Sequence, residues 1–327
     1  MSLESDTPFD QYTRQKIVAG IIDSIRTQKA KFSILDVGGY KGKTQVFLPK
    51  DKVTISDIAD VVEKNYVKAS AMDLPFEDDS RDFVVSFDAL EHVAKKDRSK
   101  FISECLRVAK RGVIICAPHI TIKNEVAENR LNDLYVTLLG HSHRWLREHI
   151  DNGLPNFKEL EIIAKNNKFI TKSIFSNDIQ LWMLMQSALF TNEKYPSKHG
   201  KLIALNRQYN KDLVMDIQVD EDNSYRQIFI ALKDAKDMKK VDTFVASQNT
   251  RNQQKQKVDV IYKITDYYAN LLKEVNEEHE KEKDNLTRQL DEVSQNLNRI
   301  VSSKMWRYTR KLASLKVRLV KRGSGKS

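Results

Sequence analysis

A glycine-rich turn follows a short apolar segment near the start of the chain. The stretch Ile34-Leu-Asp-Val-Gly-Gly-Tyr-Lys-Gly42 runs from strand-like residues into closely spaced glycines. Glycine lets the backbone approach a ligand and adopts positive φ at little cost. The next apolar segment, Val53–Ser56, is followed by Asp57, whose carboxylate can accept hydrogen bonds from both hydroxyls of a ribose. This spacing predicts a nucleotide-type ligand at the carboxyl edge of a parallel sheet.

The same turn argues against a dinucleotide. Gly38, Gly39 and Gly42 do not follow the G-x-G-x-x-G spacing of dinucleotide sites. Asp36, at the end of the strand, would repel a pyrophosphate because like charges repel. A carboxylate there suits a cofactor that carries positive sulfonium and ammonium groups.

Four ordered segments within residues 33–118 resemble the class I methyltransferases, in particular the methyltransferase type 11 group. Residues 36–42 are similar to that family's first motif, and Asp57 to its ribose-binding acid. Residues 71–76 resemble the loop whose acid contacts the adenine amine, and residues 82–93 resemble the signature of the fourth strand. Tyr40 departs from the family, which often has glycine there. The resemblance implies S-adenosyl-L-methionine as cofactor, bound by Asp36, Gly38, Gly39, Gly42, Asp57, Asp73, Leu74 and Phe87.

Histidines supply the candidate chemistry on the acceptor side. Methyl transfer to an alcohol needs alignment and a base for the hydroxyl proton, and the pKa of histidine lies near neutrality. His119, which follows the Val113–Ala117 strand, is the leading candidate base. The other candidate catalytic residues are His143 and His149, and the candidate acceptor-binding residues are His141, Trp145 and Glu148.

Three interpretations of residues 141–149 stay open. They could bind a sugar, with Trp145 stacking on its apolar face; they could bind a divalent cation; or the histidines could cap a helix or face solvent. The spacing matches no metalloprotease-type helix motif, and no metal ligand is assigned. Glu91-His92 is interpreted as capping and orienting the helix after the fourth strand.

Apolar strands alternating with helices predict the fold class. The pattern indicates an α/β, doubly wound, mostly parallel, seven-stranded Rossmann-like sheet with both faces covered by helices. An amphipathic helix around Ile17–Ile25 and a helix over Arg98–Val108 are predicted. The predicted strands are Ser33–Val37, Val53–Ser56, Phe83–Phe87, Val113–Ala117, Phe169–Ser176 and Tyr225–Leu232.

The C-terminal third changes in character. We predict a methyltransferase domain over residues 1–240, a polar linker over 241–257, a long helix or coiled coil over 258–303 and a basic amphipathic tail over 304–327. The apolar positions of the third segment follow heptad-like spacing with a stutter, which is typical of a coiled coil and predicts a homo-oligomer; a solvated single helix is the alternative.

The positive charge belongs to the tail. Nine lysines and arginines with no acid lie from Lys304 onward, which leaves +1 of the net charge of +10 for the rest of the chain. With its apolar stripe, the tail predicts binding to an anionic membrane surface; a merely solubilising tail is the alternative. RNA binding would be a rival use of the charge, but no recognisable RNA-binding module accompanies it, so no nucleic-acid partner is expected.

The two cysteines, Cys105 and Cys116, lack metal-type spacing and indicate buried thiols of a cytoplasmic protein. Together with the basic tail, they predict a cytoplasmic protein that is peripheral on the inner face of the membrane.

Two further resemblances suggest the acceptor. Residues 143–149 with Gly153-Leu-Pro155 resemble methyltransferases of bacterial surface-polysaccharide biosynthesis, which implies a sugar or glycan acceptor. Residues 303–310 resemble the Trp-Arg-x-Thr motif of bacterial glycosyltransferases and their partners, which implies glycosyltransferase partners. The alternatives are methylation of a small molecule or lipid such as a quinone precursor, and a non-catalytic scaffold that recruits glycosyltransferases through its coiled coil.

Overall fold

The computed structural model describes residues 7–27, 29–196, 199–213, 215, 217–218, 220–248 and 250–302, with the side chains of 199, 218 and 250–255 left aside. The strands are β1 (Ser33–Val37), β2 (Lys52–Asp57), β3 (Tyr66–Lys68), β4 (Arg81–Phe87), β5 (Ala109–Pro118), β6 (Ile170–Asp178), β7 (Ile217–Gln218) and β8 (Ser224–Leu232). The helices are α1 (Phe9–Ile25), α2 (Thr44–Phe47), α3 (Arg98–Val108), α4 (Ile122–Leu139), α5 (Arg144–Asn152), α6 (Phe157–Asn166), α7 (Ile179–Lys194), α8 (His199–Asp212), α9 (Ala235–Ser247) and α10 (Thr250–Ser302).

Among the described residues, the strands form a single mixed sheet in the order β3-β2-β1-β4-β5-β8-β6-β7. The five strands from β3 to β5 are parallel, and β8 lies antiparallel between β5 and β6. The doubly wound, mostly parallel fold is therefore confirmed. The six strands that were located in the sequence correspond to β1, β2, β4, β5, β6 and β8. The short strands β3 and β7 were not located, and β7 pairs with β6 through Phe175 and Ser176.

Alternate residues of each central strand enter two separate cores, as strand geometry requires. On one face Ile34 and Ile114 pack in the core that contains Ile21 of α1 and Val241 of α9. On the other face, side chains such as Leu35 and Ile115 share a core with Phe101 of α3 and Leu160 of α6. Burial of both faces explains why β1, β4 and β5 read as continuous apolar runs in the sequence.

The boundary of the first compact unit lies further along the chain than predicted. The expected polar linker over 241–257 is helical at 241–247 and again from Thr250. Val241 is fully buried, and Phe244 and Val245 pack against the core, so α9 belongs to the domain. The first compact unit extends to Tyr267, since Val260, Ile264 and Tyr267 of α10 are buried as well.

The second unit consists of the remaining part of α10, up to Ser302. Its apolar stripe is exposed in the single chain: Leu286, Leu290, Val293, Leu297 and Ile300. Within the described part of the chain, no helix combines the length and hydropathy needed to cross a membrane. The predicted basic tail, 304–327, lies outside the described residues.

Candidate functional site

The glycine turn after β1 has the strained backbone that its sequence predicted. Gly38 has a φ of +77°, and a side chain at this position would place its Cβ 2.4 Å from the Cβ of Ala89. The Gly38 amide donates to the carbonyl of Ser56, which ties the turn to β2. Tyr40 follows with a φ of +40°, a conformation that favours glycine, and its side chain is exposed. The turn therefore has positive φ at Tyr40 although this residue carries a side chain.

Asp36 lies beneath this turn. Its side chain is buried, and its Oδ2 accepts a hydrogen bond from the Thr44 hydroxyl at 2.6 Å. Its other oxygen, Oδ1, has no hydrogen-bond partner among the described residues. Burial, opposed by the Thr44 hydrogen bond and the Arg14 charge, raises the pKa of Asp36 to about 6, with a smaller contribution from the charge of Asp57. An unsatisfied, buried carboxylate oxygen is costly, and a positive ligand group would offset that cost.

Asp57 holds the turn from the end of β2. Its Oδ2 accepts from the amide of Tyr40 at 3.1 Å, and its Oδ1 accepts from the amide of Ala59 at 2.9 Å. Each oxygen keeps one further lone pair for a ligand hydroxyl. Asp73 and Leu74 lie in the loop before β4; Asp73 is exposed, and Leu74 is buried with its amide donating to Glu104.

A cavity of about 440 Å³ opens beside the turn. One end is formed by residues 38–42 and Phe87, which come from the carboxyl ends of β1 and β4. The opposite wall comes from the segment after β4 and from helices α4, α5 and α7, and includes Glu91, His92, Leu131, His143, Trp145, Leu146, His149, Trp182, Gln186 and Phe190. Asp36, Asp57, Asp73 and Leu74 are not among the residues that line this cavity.

A pair of histidines stands on the acceptor side of the cavity. The Nε2 atoms of His92 and His149 face each other at 3.4 Å. Each ring binds a carboxylate through its Nδ1: His92 to Glu148 at 2.8 Å and His149 to Glu128 at 2.9 Å. Since a carboxylate only accepts, both Nδ1 atoms carry the proton, and both Nε2 atoms point at one another.

Glu91 completes this cluster from a short 3₁₀ turn, Leu90–His92. Its side chain is fully buried, its Oε1 lies 4.0 Å from the Nε2 of His149, and neither oxygen has a hydrogen-bond partner among the described residues. Burial and the charge of Asp88 raise the pKa of Glu91 to about 8. The structure does not support the interpretation that Glu91-His92 caps the following helix, since the N-cap of α3 is Asp97, without a side-chain cap bond, and both residues line the cavity.

The two histidines have opposite proton affinities. Burial, then the charge of His149, lowers the pKa of His92. Burial would lower the pKa of His149 too, but the hydrogen bond and charge of Glu128 outweigh it and raise that pKa. Of the two rings, His92 therefore has the lower proton affinity and the greater tendency to be unprotonated at neutral pH, as a base that is to accept a proton must be.

Behind the histidines, a buried polar layer joins α4, α7 and β8. The Tyr225 hydroxyl donates to Glu128 Oε1 at 2.6 Å, the same oxygen that binds His149. The ring of Trp182 stacks on Tyr225, with centroids 3.4 Å apart. Glu128 is thereby fixed between two partners, which holds the imidazole of His149 in one orientation.

A network of ion pairs lines the cavity on the side of α1. Arg226 of β8 binds Asp88 through Nε at 2.9 Å and through a terminal nitrogen at 2.6 Å, and it also contacts Asp10. Arg14 adds a second contact to Asp88 at 2.7 Å. Burial opposes ionisation of Asp88, but the two guanidinium groups hold its pKa well below the usual range. The network ties α1 to the sheet where the cavity opens.

The predicted histidines do not all meet at this site. His149 and His143 line the cavity, whereas His119 is buried in a separate cavity with residues such as Pro155, Glu161 and Phe175. The expectation that His119 is the leading base is therefore not supported by its position, because the side chain that follows β5 turns away from the glycine turn. Burial lowers the pKa of His119.

Of the remaining predicted acceptor-site residues, some line the cavity and others lie outside it. His143 serves as N-cap of α5, with its Nδ1 accepting from the amide of Leu146, so the capping alternative holds for this residue. His141 is exposed and packs against the edge of Tyr135 outside the cavity. Trp145 lines the cavity, half-exposed, with its ring edge-on to His92, and Glu148 positions His92.

Sequence reasoning missed the residues that come from distant segments. Glu91 and His92 stood inside a recognised motif, directly after a strand that ends at the ligand edge, and this placement was the available signal. Glu128, Tyr225 and Arg226 carried no such signal, because each becomes part of the site only through the packing of α4 and β8.

Several solved structures are similar to this chain. The YcgJ protein from Bacillus subtilis has 14% identity and a TM-score of 0.39, covering 67% of this chain and 98% of its own. Magnesium protoporphyrin IX methyltransferase from Synechocystis PCC 6803 has 13% identity and a TM-score of 0.41, covering 69% and 83%. Phosphoethanolamine N-methyltransferase 2 from Haemonchus contortus has 19% identity and a TM-score of 0.41, covering 67% and 52%.

The sequence comparisons match a shorter part of the chain. No curated protein matches the chain. The family model described as "Methyltransferase domain" matches residues 45–117, which run from α2 to β5. This match lies within the sheet that carries the glycine turn, so this part of the chain is similar to the methyltransferase domain family.

Proposed function

We propose that the protein transfers the methyl group of S-adenosylmethionine to a hydroxyl of a sugar or glycan intermediate in bacterial surface-polysaccharide biosynthesis. The observation that carries this proposal is one cavity that is lined both by the glycine turn and by the His92–His149 pair. A cofactor end and a proton-accepting end in one cavity are what alcohol methylation needs.

The residues of the first end fit the cofactor. The positive φ of Gly38 brings the backbone of the turn to the cavity edge, and Asp57 keeps lone pairs for ribose hydroxyls. The unpartnered Oδ1 of buried Asp36 suits a ligand with positive charge. When bound, S-adenosylmethionine supplies a methyl group on a sulfonium that leaves as a neutral thioether.

At the other end, His92 takes the proton of the acceptor hydroxyl. As the new carbon–oxygen bond forms and the carbon–sulfur bond breaks, the hydroxyl proton passes to Nε2 of His92, whose lowered pKa keeps that nitrogen unprotonated. Glu148 accepts the Nδ1 hydrogen bond and stabilises the imidazolium that results. His149 and Glu128 hold the pair in place.

The character of the wall supports a sugar acceptor. Trp145, 51% exposed, presents an aromatic face and edge of the kind on which sugar rings pack, and Gln186 lines the same cavity with an amide that can bind hydroxyls. An uncharged, polyhydroxylated acceptor agrees with a wall in which Asp88 and Arg226 neutralise each other. These features support a sugar over an apolar quinone ring.

Two measurements test the proposal. Calorimetry should detect S-adenosylmethionine binding to the purified protein; its absence would leave only the scaffold alternative. Mass spectrometry of surface glycan should show a methyl group lost from cells without the protein and restored by the wild-type gene. A gene that encodes His92→Gln should restore about one hundredth or less of the wild-type rate of glycan methylation, because general-base catalysis contributes about 10²–10⁴-fold.

The matched control for that experiment is His141→Gln, since His141 is exposed outside the cavity. This variant should restore methylation as the wild type does. Glycan that is methylated equally with the His92 variant would refute the assignment of the base, and glycan with unchanged methylation in the absence of the protein would refute the acceptor.

We also propose that α10 pairs with a second copy of this chain through the stripe Leu286–Ile300. The five apolar side chains of this stripe are 56–72% exposed in the single chain, and their spacing is that of a coiled-coil seam. Light scattering should give twice the monomer mass for the whole chain and the monomer mass after two of the leucines are changed to glutamate. In the same proposal, α10 and the tail recruit glycosyltransferases as partners.

A further inference from the structure

The facing Nε2 atoms of His92 and His149 would repel each other unless a proton or a cation lay between them. When each Nδ1–H donates a hydrogen bond to its carboxylate, the lone pairs of the two Nε2 atoms point at each other across 3.4 Å. A single shared proton would relieve this repulsion, but it would leave both oxygens of buried Glu91 without a partner among the described residues. A cation placed between the three side chains satisfies all of them.

The distances fit a metal ion. Two nitrogens bound at about 2.05 Å to a tetrahedral ion are about 3.3 Å apart, close to the observed 3.4 Å. One ligand atom from each of Glu91, His92 and His149 can be chosen so that all lie within 4.8 Å of one another. Glu91 Oε1 needs to approach His149 Nε2 by about 0.7 Å from its 4.0 Å separation, a movement within reach of a side-chain rotation.

The surroundings have the form that supports metal-binding histidines. Ligating imidazoles commonly donate their second N–H to a carboxylate, which fixes the ring and increases its basicity. Here Glu148 does this for His92, and Glu128 for His149, with Glu128 itself held by the Tyr225 hydroxyl. These second carboxylates come from α5 and α4, so the packing of two helices prepares the site before any ion arrives.

We propose that Glu91, His92 and His149 bind one divalent transition-metal ion, such as Zn²⁺, Mn²⁺ or Co²⁺, at the acceptor end of the cavity. Two imidazoles and one carboxylate suit this class of ion and leave coordination positions open toward the cavity. Resting on the proposed function, the inference extends to the acceptor: an open position would bind its hydroxyl and lower the pKa of that group. The proton would then pass to solvent, and His92, whose Nε2 would be a ligand of the ion, would act as the base only in the metal-free protein.

The direct test is a titration of chelator-treated whole protein with Co²⁺, followed by visible absorption. We expect saturation at one equivalent and displacement of the cobalt spectrum by Zn²⁺. Glu91→Gln and His92→Gln should each weaken Co²⁺ binding more than a hundredfold, and Glu128→Gln roughly tenfold to a hundredfold, as is typical of outer-shell partners. His141→Gln, the matched histidine variant outside the cluster, should bind as the wild type does.

Each result decides for or against the site. Glu91→Gln removes a carboxyl ligand without changing side-chain size, and its melting temperature will show that it folds. Wild-type protein without a saturable cobalt spectrum, or binding that is equal in the wild type and in Glu91→Gln and His92→Gln, would overturn the inference. S-adenosylmethionine affinity measured with chelator present reports on the proposed function independently, because the glycine turn and Asp57 do not belong to the cluster.

Discussion

Substitution of Gly39 by alanine tests whether the glycine turn is shaped by the buried carboxylate beneath it. A Cβ at this position would lie 2.7 Å from Oδ2 and 2.8 Å from Cγ of Asp36, and 2.9 Å from Cγ2 of Ile55. All three separations are shorter than van der Waals contact. Asp36 cannot withdraw without breaking its 2.6 Å hydrogen bond with Thr44, whose hydroxyl oxygen also accepts from Gln15.

The magnitude follows from the cost of overpacking. Forcing an extra methyl group into a filled site costs about 1–3 kcal/mol. If the turn moves to relieve the clash, that energy is lost from cofactor binding, which corresponds to about 5-fold to 150-fold in Kd. If the turn stays and the strain is kept, the melting temperature falls by a few degrees, at about 2–4 °C per kcal/mol for a domain of this size.

Calorimetry with S-adenosylmethionine and thermal unfolding of the same preparation measure both outcomes. Gly200→Ala is the matched control, because a Cβ at Gly200 meets nothing within 4 Å and the residue lies in helix α8. The control should bind the cofactor as the wild type does. Should Gly39→Ala keep both its affinity and its melting temperature, the close packing of the turn on Asp36 would be refuted.

Three further predictions concern Asp57, Asp36 and the tail. Asp57→Ala removes acceptors of charge-assisted hydrogen bonds worth about 1.5–3 kcal/mol, so the calorimetric Kd for the cofactor should rise roughly tenfold to a hundredfold; unchanged affinity in a folded variant would remove Asp57 from the site. Burial, against the Thr44 hydrogen bond and the Arg14 charge, raises the pKa of Asp36 from 3.8 to about 6. The folded chain therefore holds a proton that the unfolded chain has lost between these values, and stability falls by about 3 kcal/mol as pH rises through that window. Denaturant unfolding against pH should show this slope in the wild type and lose it in Asp36→Asn; equal slopes would contradict the assignment. Deletion of residues 304–327 should abolish sedimentation with anionic vesicles and spare cofactor binding, because cations near such a surface contribute about 1 kcal/mol each; sedimentation that is equal without the tail would rule out this membrane anchor.

The fold class, the longer strands and the glycine turn were accessible from the sequence because all of them depend on local patterns. The predicted bounds of β1 and of helix Arg98–Val108 agree with the structure. A strand buried on both faces has a continuous apolar run, and a turn that needs positive φ selects glycine at Gly38. The strand β7 shows the limit of this reasoning, because it has two residues and no pattern. The tail, predicted from its charge and its apolar stripe, lies outside the described residues.

The acceptor end was decided by tertiary structure. His92 and His149 are 57 positions apart, and they meet because α5 packs beside the short turn after β4. His119 and His141 have the same side chain and a plausible position in the sequence, yet one turns into another cavity and the other into solvent. Residue type determines which protons and ions a side chain can bind, but whether two such groups share a site depends on which helix faces pack together. That packing is a property of the whole chain, since the imidazole of His149 binds Glu128 of α4, and Glu128 is itself held by Tyr225 of β8.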